Sequence, residues 1–100
     1  MDPKEVEKRI IENYQNDERL MVLIFCQWCV NHGLDPQVLY EKAYPEQPKN
    51  ELIEKMKEET VLKEEADEIS DAAVLHVLEL FGNHDLAFVV QAEIDKRKHT

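Results

Sequence analysis

Glycine is nearly missing from this sequence: there are two in one hundred residues, Gly33 and Gly82. No glycine-rich phosphate loop can be assembled from two isolated glycines. Hydroxyl side chains are almost as scarce. Beyond tyrosine there are Thr60, Ser70 and Thr100, and none sits in a GxSxG or similar context. Without a nucleophile, a base and an orienting group that converge, acyl-transfer chemistry has no parts, and we read the chain as non-enzymatic and free of cofactors. Cysteine is limited to Cys26 and Cys29, which make no disulfide framework and suit a reducing cytoplasm. Basic residues are outnumbered, 12 against 22, for a net charge of −10. A field of that sign repels phosphate backbones, so nucleic acid is not an expected partner. Long apolar runs are lacking as well. Leu20–Val30 is the longest, and it falls well short of the ~20 residues a membrane span needs. The acids before it (Asp2, Glu5, Glu7, Glu12, Asp17, Glu18) also do not resemble a secretory leader.

What is present points to a single domain over residues 1–100. Hydrophobic residues make up 43%, enough for a core, and the chain is rich in Glu, Lys and Leu, which lose little rotamer freedom in helices. No alternating pattern flanked by turn pairs marks a strand. The expected fold is therefore all-α: a compact bundle of five or six helices around a central apolar helix at about 17–32.

Local signals place the helix ends. Asp2-Pro3 with Glu5 reads as a helix start, followed by the stripe Val6, Ile10, Tyr14. Gln15 to Glu18 interrupts that stripe with cap-type residues, so a second helix is expected from near Asn16, with one bent helix as the alternative. Gly33 suits the left-handed position after a helix, with Leu34 folding back toward Cys29. Asp35-Pro36 then opens a short helix with Val38, Leu39 and Ala43 inward. Tyr44 to Pro48, with two prolines, breaks it. Residues 49–81 read as helical with a kink or break near Thr60. Leu52, Ile53 and Met56 form one stripe there, and Leu62, Ala66, Ile69, Ala73, His76 or Val77, and Leu80 form another. Gly82-Asn83 closes this stretch and caps the last helix. Leu86, Val89, Val90 and Ile94 should pack against the central helix, and Lys96-Arg97-Lys98 suits the negative pole of the dipole.

Two clusters are candidate sites. Cys26, Cys29 and His32 lie close enough on a helix to serve as metal ligands, which gives a second reading of the chain as a small metal-binding protein. Against it, no further Cys or Cys/His pair completes a set of four. The thiols also lie in the closing turns, near the negative pole, where they should stay neutral. The leading reading is a small acidic cytoplasmic protein that acts by interaction or regulation. Its partner would be another protein or a second copy of itself. Trp28, or part of the stripe from Ile69 to Phe81, would be covered by that partner because one small domain struggles to enclose a helix apolar on every side. Tyr40 and Tyr44 would anchor contacts at the Tyr40–Pro48 corner, although Tyr44 is the one better suited to pack inward. The Glu51–Asp71 flank is the other surface; Glu41 to Asp71 holds eleven acids against five bases. Within the apolar run, Gln27 and Asn31 mark the least buried edge.

Overall fold

The computed structural model describes residues 3–66 and 68–98, with side chains described from Asp17 onward. Among them are five α-helices and one 3-10 turn, and no strand. The helices are α1 (Pro3–Asn31), α2 (Pro36–Ala43), α3 (Glu51–Glu59), α4 (Asp71–Leu80) and α5 (His84–Lys98); the 3-10 turn is Lys63–Glu65. The all-α bundle expected from composition is thus the observed architecture.

The long first helix corrects the expected break at Asn16. α1 runs 29 residues without interruption, and the apolar run is its C-terminal half. The helical backbone runs on through Gln15 to Glu18, because residues that favour caps do not by themselves force a helix to start. The expected cap at Asp2 and the stripe Val6, Ile10, Tyr14 lie outside the residues whose side chains are described.

Both glycines close helices in the same way. Leu34 N donates to Cys29 O at 2.8 Å and Gly33 N to Val30 O at 3.1 Å, with Gly33 at φ +68°. Asn83 N donates to Leu78 O at 2.9 Å and Gly82 N to Glu79 O at 3.0 Å, with Gly82 at φ +74°. These are Schellman closures, which satisfy carbonyls that the helix end leaves open. Helix starts are equally explicit. Asp35 accepts from Gln37 N ahead of Pro36, Asn50 from Ile53 N, and Ser70 from Ala73 N. Asn83 precedes α5, but its side-chain oxygen accepts from Tyr44 Oη at 3.4 Å.

The 49–81 stretch departs furthest from expectation. α3 ends at Glu59, and Thr60 Oγ1 donates back to Lys57 O at 2.6 Å. The chain returns to α-helix only at Asp71. Leu62, Ala66 and Ile69 therefore lie in an irregular connection, and the stripe they seemed to share with Ala73 and Leu80 does not exist. Residues 72–78 are apolar at nearly every position, so periodicity alone could not fix the buried face. Val74 and Leu78 are buried, while Ala73, His76 and Leu80 face outward.

The core joins every helix. Phe25, Cys26, Trp28 and Cys29 of α1 meet Leu39 of α2, Ile53 of α3, Val74 and Leu78 of α4, and Val90 and Ile94 of α5. α1 packs along α2, α3 and α4, whereas the α5 backbone runs closest to α2 and α4. The last helix thus closes the core from the far side instead of lying along α1. Val38, expected inward, is 44% exposed; Pro36 and Leu39 supply the fully buried side chains of that helix.

Candidate functional site

The cysteines do not form a site. Cys26 and Cys29 are wholly buried, and the Cys26 thiol points at Ile53 O, 3.8 Å away. Burial pushes the Cys26 thiol up to about 12, and Cys29 is pushed higher still by burial and by its neighbour Cys26. A shift in that direction favours the thiol over the thiolate that a nucleophile needs. His32 turns away from them. Its ring lies tilted against Trp28 with centroids 4.8 Å apart, and its Nε2 lies 3.9 Å from Asp71 Oδ1. Among the described residues no three His, Cys, Asp or Glu side chains gather in metal-binding geometry. The structure does not gather Cys26, Cys29 and His32 into one ligand set.

Trp28 is likewise not a surface anchor. It is 0% exposed and covered by its own chain. Its indole N–H donates to Asp71 Oδ1 at 3.0 Å, and Arg97 reaches the same oxygen at 2.8 Å while its guanidinium lies 5.8 Å from the indole ring centroid. Burial alone would raise the Asp71 carboxyl; the hydrogen bonds from Arg97 and Trp28 and the nearby guanidinium outweigh it and hold the group below its usual range. Burial, reinforced by Arg97, lowers His32. A cleft of about 540 Å³ opens over this cluster, with Lys63, Glu68 and Ser70 on its walls. Its charges are mixed and its central carboxylate is already paired, so it presents no unmet demand for a ligand.

Tyr40 and Tyr44 stand together as expected, ring centroids 5.1 Å apart, and both are half-buried. They line a pocket of about 410 Å³ floored by Met21, Val22 and Phe25. Its polar groups answer one another: Tyr40 Oη donates to Gln47 Oε1 at 2.9 Å, and Tyr44 Oη to Asn83 Oδ1 at 3.4 Å. Burial raises the Tyr44 phenol. Tyr40 and Tyr44 both pack partly buried against the core.

The exposed edge of α1 is different. Leu23, Ile24 and Gln27 form one wall of a groove of about 340 Å³; Val61, Ala66 and Ile69 form the other. Gln27 builds it. Its Nε2 donates to Val61 O at 3.0 Å, and its Oε1 accepts from Val61 N at 3.0 Å. That two-point grip holds the irregular connection beside α1 without closing it down. Leu20 lies on the same helical face one turn earlier and is 55% exposed; Val61 is 43% and Leu62 66% exposed. Glu59 and Glu65 line the rim. Sequence reasoning marked Gln27 as the open edge of the run, but placed Leu62 and Ile69 on a helical stripe, with part of it from Ile69 onward offered to a partner, and did not single out Leu20. The signal for Leu20 was its place at the very start of the run, where the core had not yet begun.

Residues 2–95 match the YxiS family. The chain is also 50% identical over 93 residues to the uncharacterized protein YxiS of Bacillus subtilis (strain 168), covering 92% of this chain and 97% of that relative. The chain belongs to the YxiS family. No solved structure matches it. The YxiS match takes in every residue lining the groove, together with Trp28 and Asp71, and stops before Arg97. The groove therefore lies wholly inside the YxiS region, whereas the guanidinium that completes the Asp71 cluster lies beyond it.

Proposed function

We propose that this YxiS-family protein is a non-catalytic interaction module that binds another protein through the groove between α1 and residues 61–69. The observation that carries the reading is the coincidence of an open apolar groove lined by exposed Val61 with two further exposed aliphatic side chains next to it in the chain: Leu20, one helical turn before Leu23 and Ile24, and Leu62, directly after Val61. Exposed apolar side chains scattered singly are ordinary, but a contiguous set flanking a groove marks a surface built to be covered. Support also comes from the buried, protonated thiols and the self-paired carboxylate, which leave the obvious reactive groups without a chemical role. The free cysteines fit a reducing cytoplasm.

Photo-crosslinking in the producing organism tests this. A photoreactive residue at position 62 should give a discrete adduct that is absent when the same residue replaces His76, which is exposed on α4. No adduct at 62, or the same adduct at both positions, overturns the reading.

A further inference from the structure

The character of the groove narrows what would fill it. Its lining is largely aliphatic, from Leu23, Ile24, Val61, Ala66 and Ile69, and Glu59 and Glu65 stand on its rim. Both acids are exposed, as are Glu58, Glu64 and Glu68 nearby. Lys63 is the single base between residues 58 and 71. An occupant must bury an apolar stripe and present positive charge beside it.

The backbone restricts its shape. An extended peptide gains affinity by pairing with free main-chain groups of a strand-like edge. At Val61 both the N–H and the C=O are already taken by Gln27. Recognition here therefore rests on side-chain burial, for which a helix laid in a groove is the suited form. Leu23 to Gln27 lines the groove, and the same face of α1 continues one turn back to exposed Leu20. The face runs about 10 Å at 1.5 Å per residue, roughly two turns with apolar side chains spaced three or four residues apart.

We infer that the groove receives an amphipathic helix from a partner protein, with Leu- or Ile-type anchors on one face and Lys or Arg flanking them. This rests on the proposed interaction role, and it adds the chemistry of the partner. Leu23, Ile24 and Ile69 take the anchors, while Glu59 and Glu65 meet the flanking cations. Anionic surfaces such as phospholipid headgroups or nucleic acid are disfavoured by the same rim and by the net charge of −10.

The test uses the whole protein and synthetic helical peptides of about four turns, long enough to hold some helix in water. One carries Leu at every third or fourth position with Lys beside it. A second has Glu in place of each Lys, and a third scrambles the Lys and Leu order. Binding is read by fluorescence anisotropy, and its location by amide chemical shifts. The first peptide should bind and shift Leu23, Ile24, Val61 and Ile69, the second should not bind, and the third should bind far more weakly. E59K/E65K should weaken the first peptide by about tenfold at low salt, with the difference shrinking as salt rises. E41K/E46K makes the same change in net charge away from the groove and should have little effect. Equal binding of the Lys and Glu peptides, equal loss in both charge variants, shifts confined to another face, or no binding at all overturns the assignment. A dimer in ultracentrifugation that L62E dissociates would also overturn it, by making a second copy the occupant. An adduct at position 62 in cells with no peptide binding would leave the interaction role standing and remove only the cationic helix.

Discussion

Trp28 and Asp71, separated by 43 residues in sequence, meet at 3.0 Å, and the indole N–H of the most buried aromatic side chain is answered by a half-exposed carboxylate. The same oxygen takes Arg97 at 2.8 Å. One side chain thus ties the end of α1, the start of α4 and the end of α5. Removing it leaves the Trp28 N–H without a partner inside the core. D71A should lower unfolding free energy by about 1–3 kcal/mol, the usual cost of an orphaned buried donor. D71N should cost less, since its amide oxygen still accepts. Urea melts followed by Trp28 fluorescence check both.

This corner also sets two limbs of pH dependence. His32 is held below its ordinary 6.5 in the folded protein. Its contribution is complete above that pH and declines as the pH drops, because the unfolded chain takes up the proton first. Asp71 is held below its ordinary 3.8. Its contribution is present above that value and is lost as the pH falls through the lower folded value. Glu93 adds to the acid limb in the same sense: hydrogen bonding and charge from Lys96 and Lys42 overcome its burial. Stability measured against pH should lose the upper limb in H32Q and part of the acid limb in D71N, with Glu93 retaining the rest.

The thiols give a direct measure of core integrity. With Cys26 raised to about 12 and both side chains fully buried, a disulfide reagent at pH 8 should find no reactive thiol in the native protein and two in urea. Rapid labelling without denaturant would show that the α1–α3 contact opens locally.

The two glycines allow a clean test of backbone conformation. A Cβ at Gly33 or Gly82 meets nothing within 4 Å, so a steric clash is not the issue. The left-handed φ of each remains, and Gly33→Ala or Gly82→Ala should cost about 1 kcal/mol apiece. Asn, which tolerates this region better, should cost less at either position. Calorimetric midpoints of the four variants check the order.

How much of this was legible in the sequence follows from how far each signal reaches. Gly33 with Leu34, Asp35 with Pro36, and the buried Leu86, Val90 and Ile94 are local patterns; each sits where its spacing placed it. The capping role of Ser70 was missed because the apolar spacing of Leu62, Ala66 and Ile69 continued as if the helix did. Gln27 with Val61 and Trp28 with Asp71 are pairs 34 and 43 residues apart. No periodicity encodes such contacts; they exist only once the helices have packed. Trp28 was read as partner-facing for that reason, since its own partner lay in a distant helix.

Gln27 grips only the main chain of residue 61, which every non-proline residue supplies alike. The side chain at that position is released from any duty to hold the loop. Val61 could therefore be exchanged for larger, smaller or charged residues with little loss of stability, while the surface it shows to a partner changes completely. The fold keeps its recognition edge on a fixed mount with an interchangeable face, so specificity here can drift, or be engineered, at nearly constant stability.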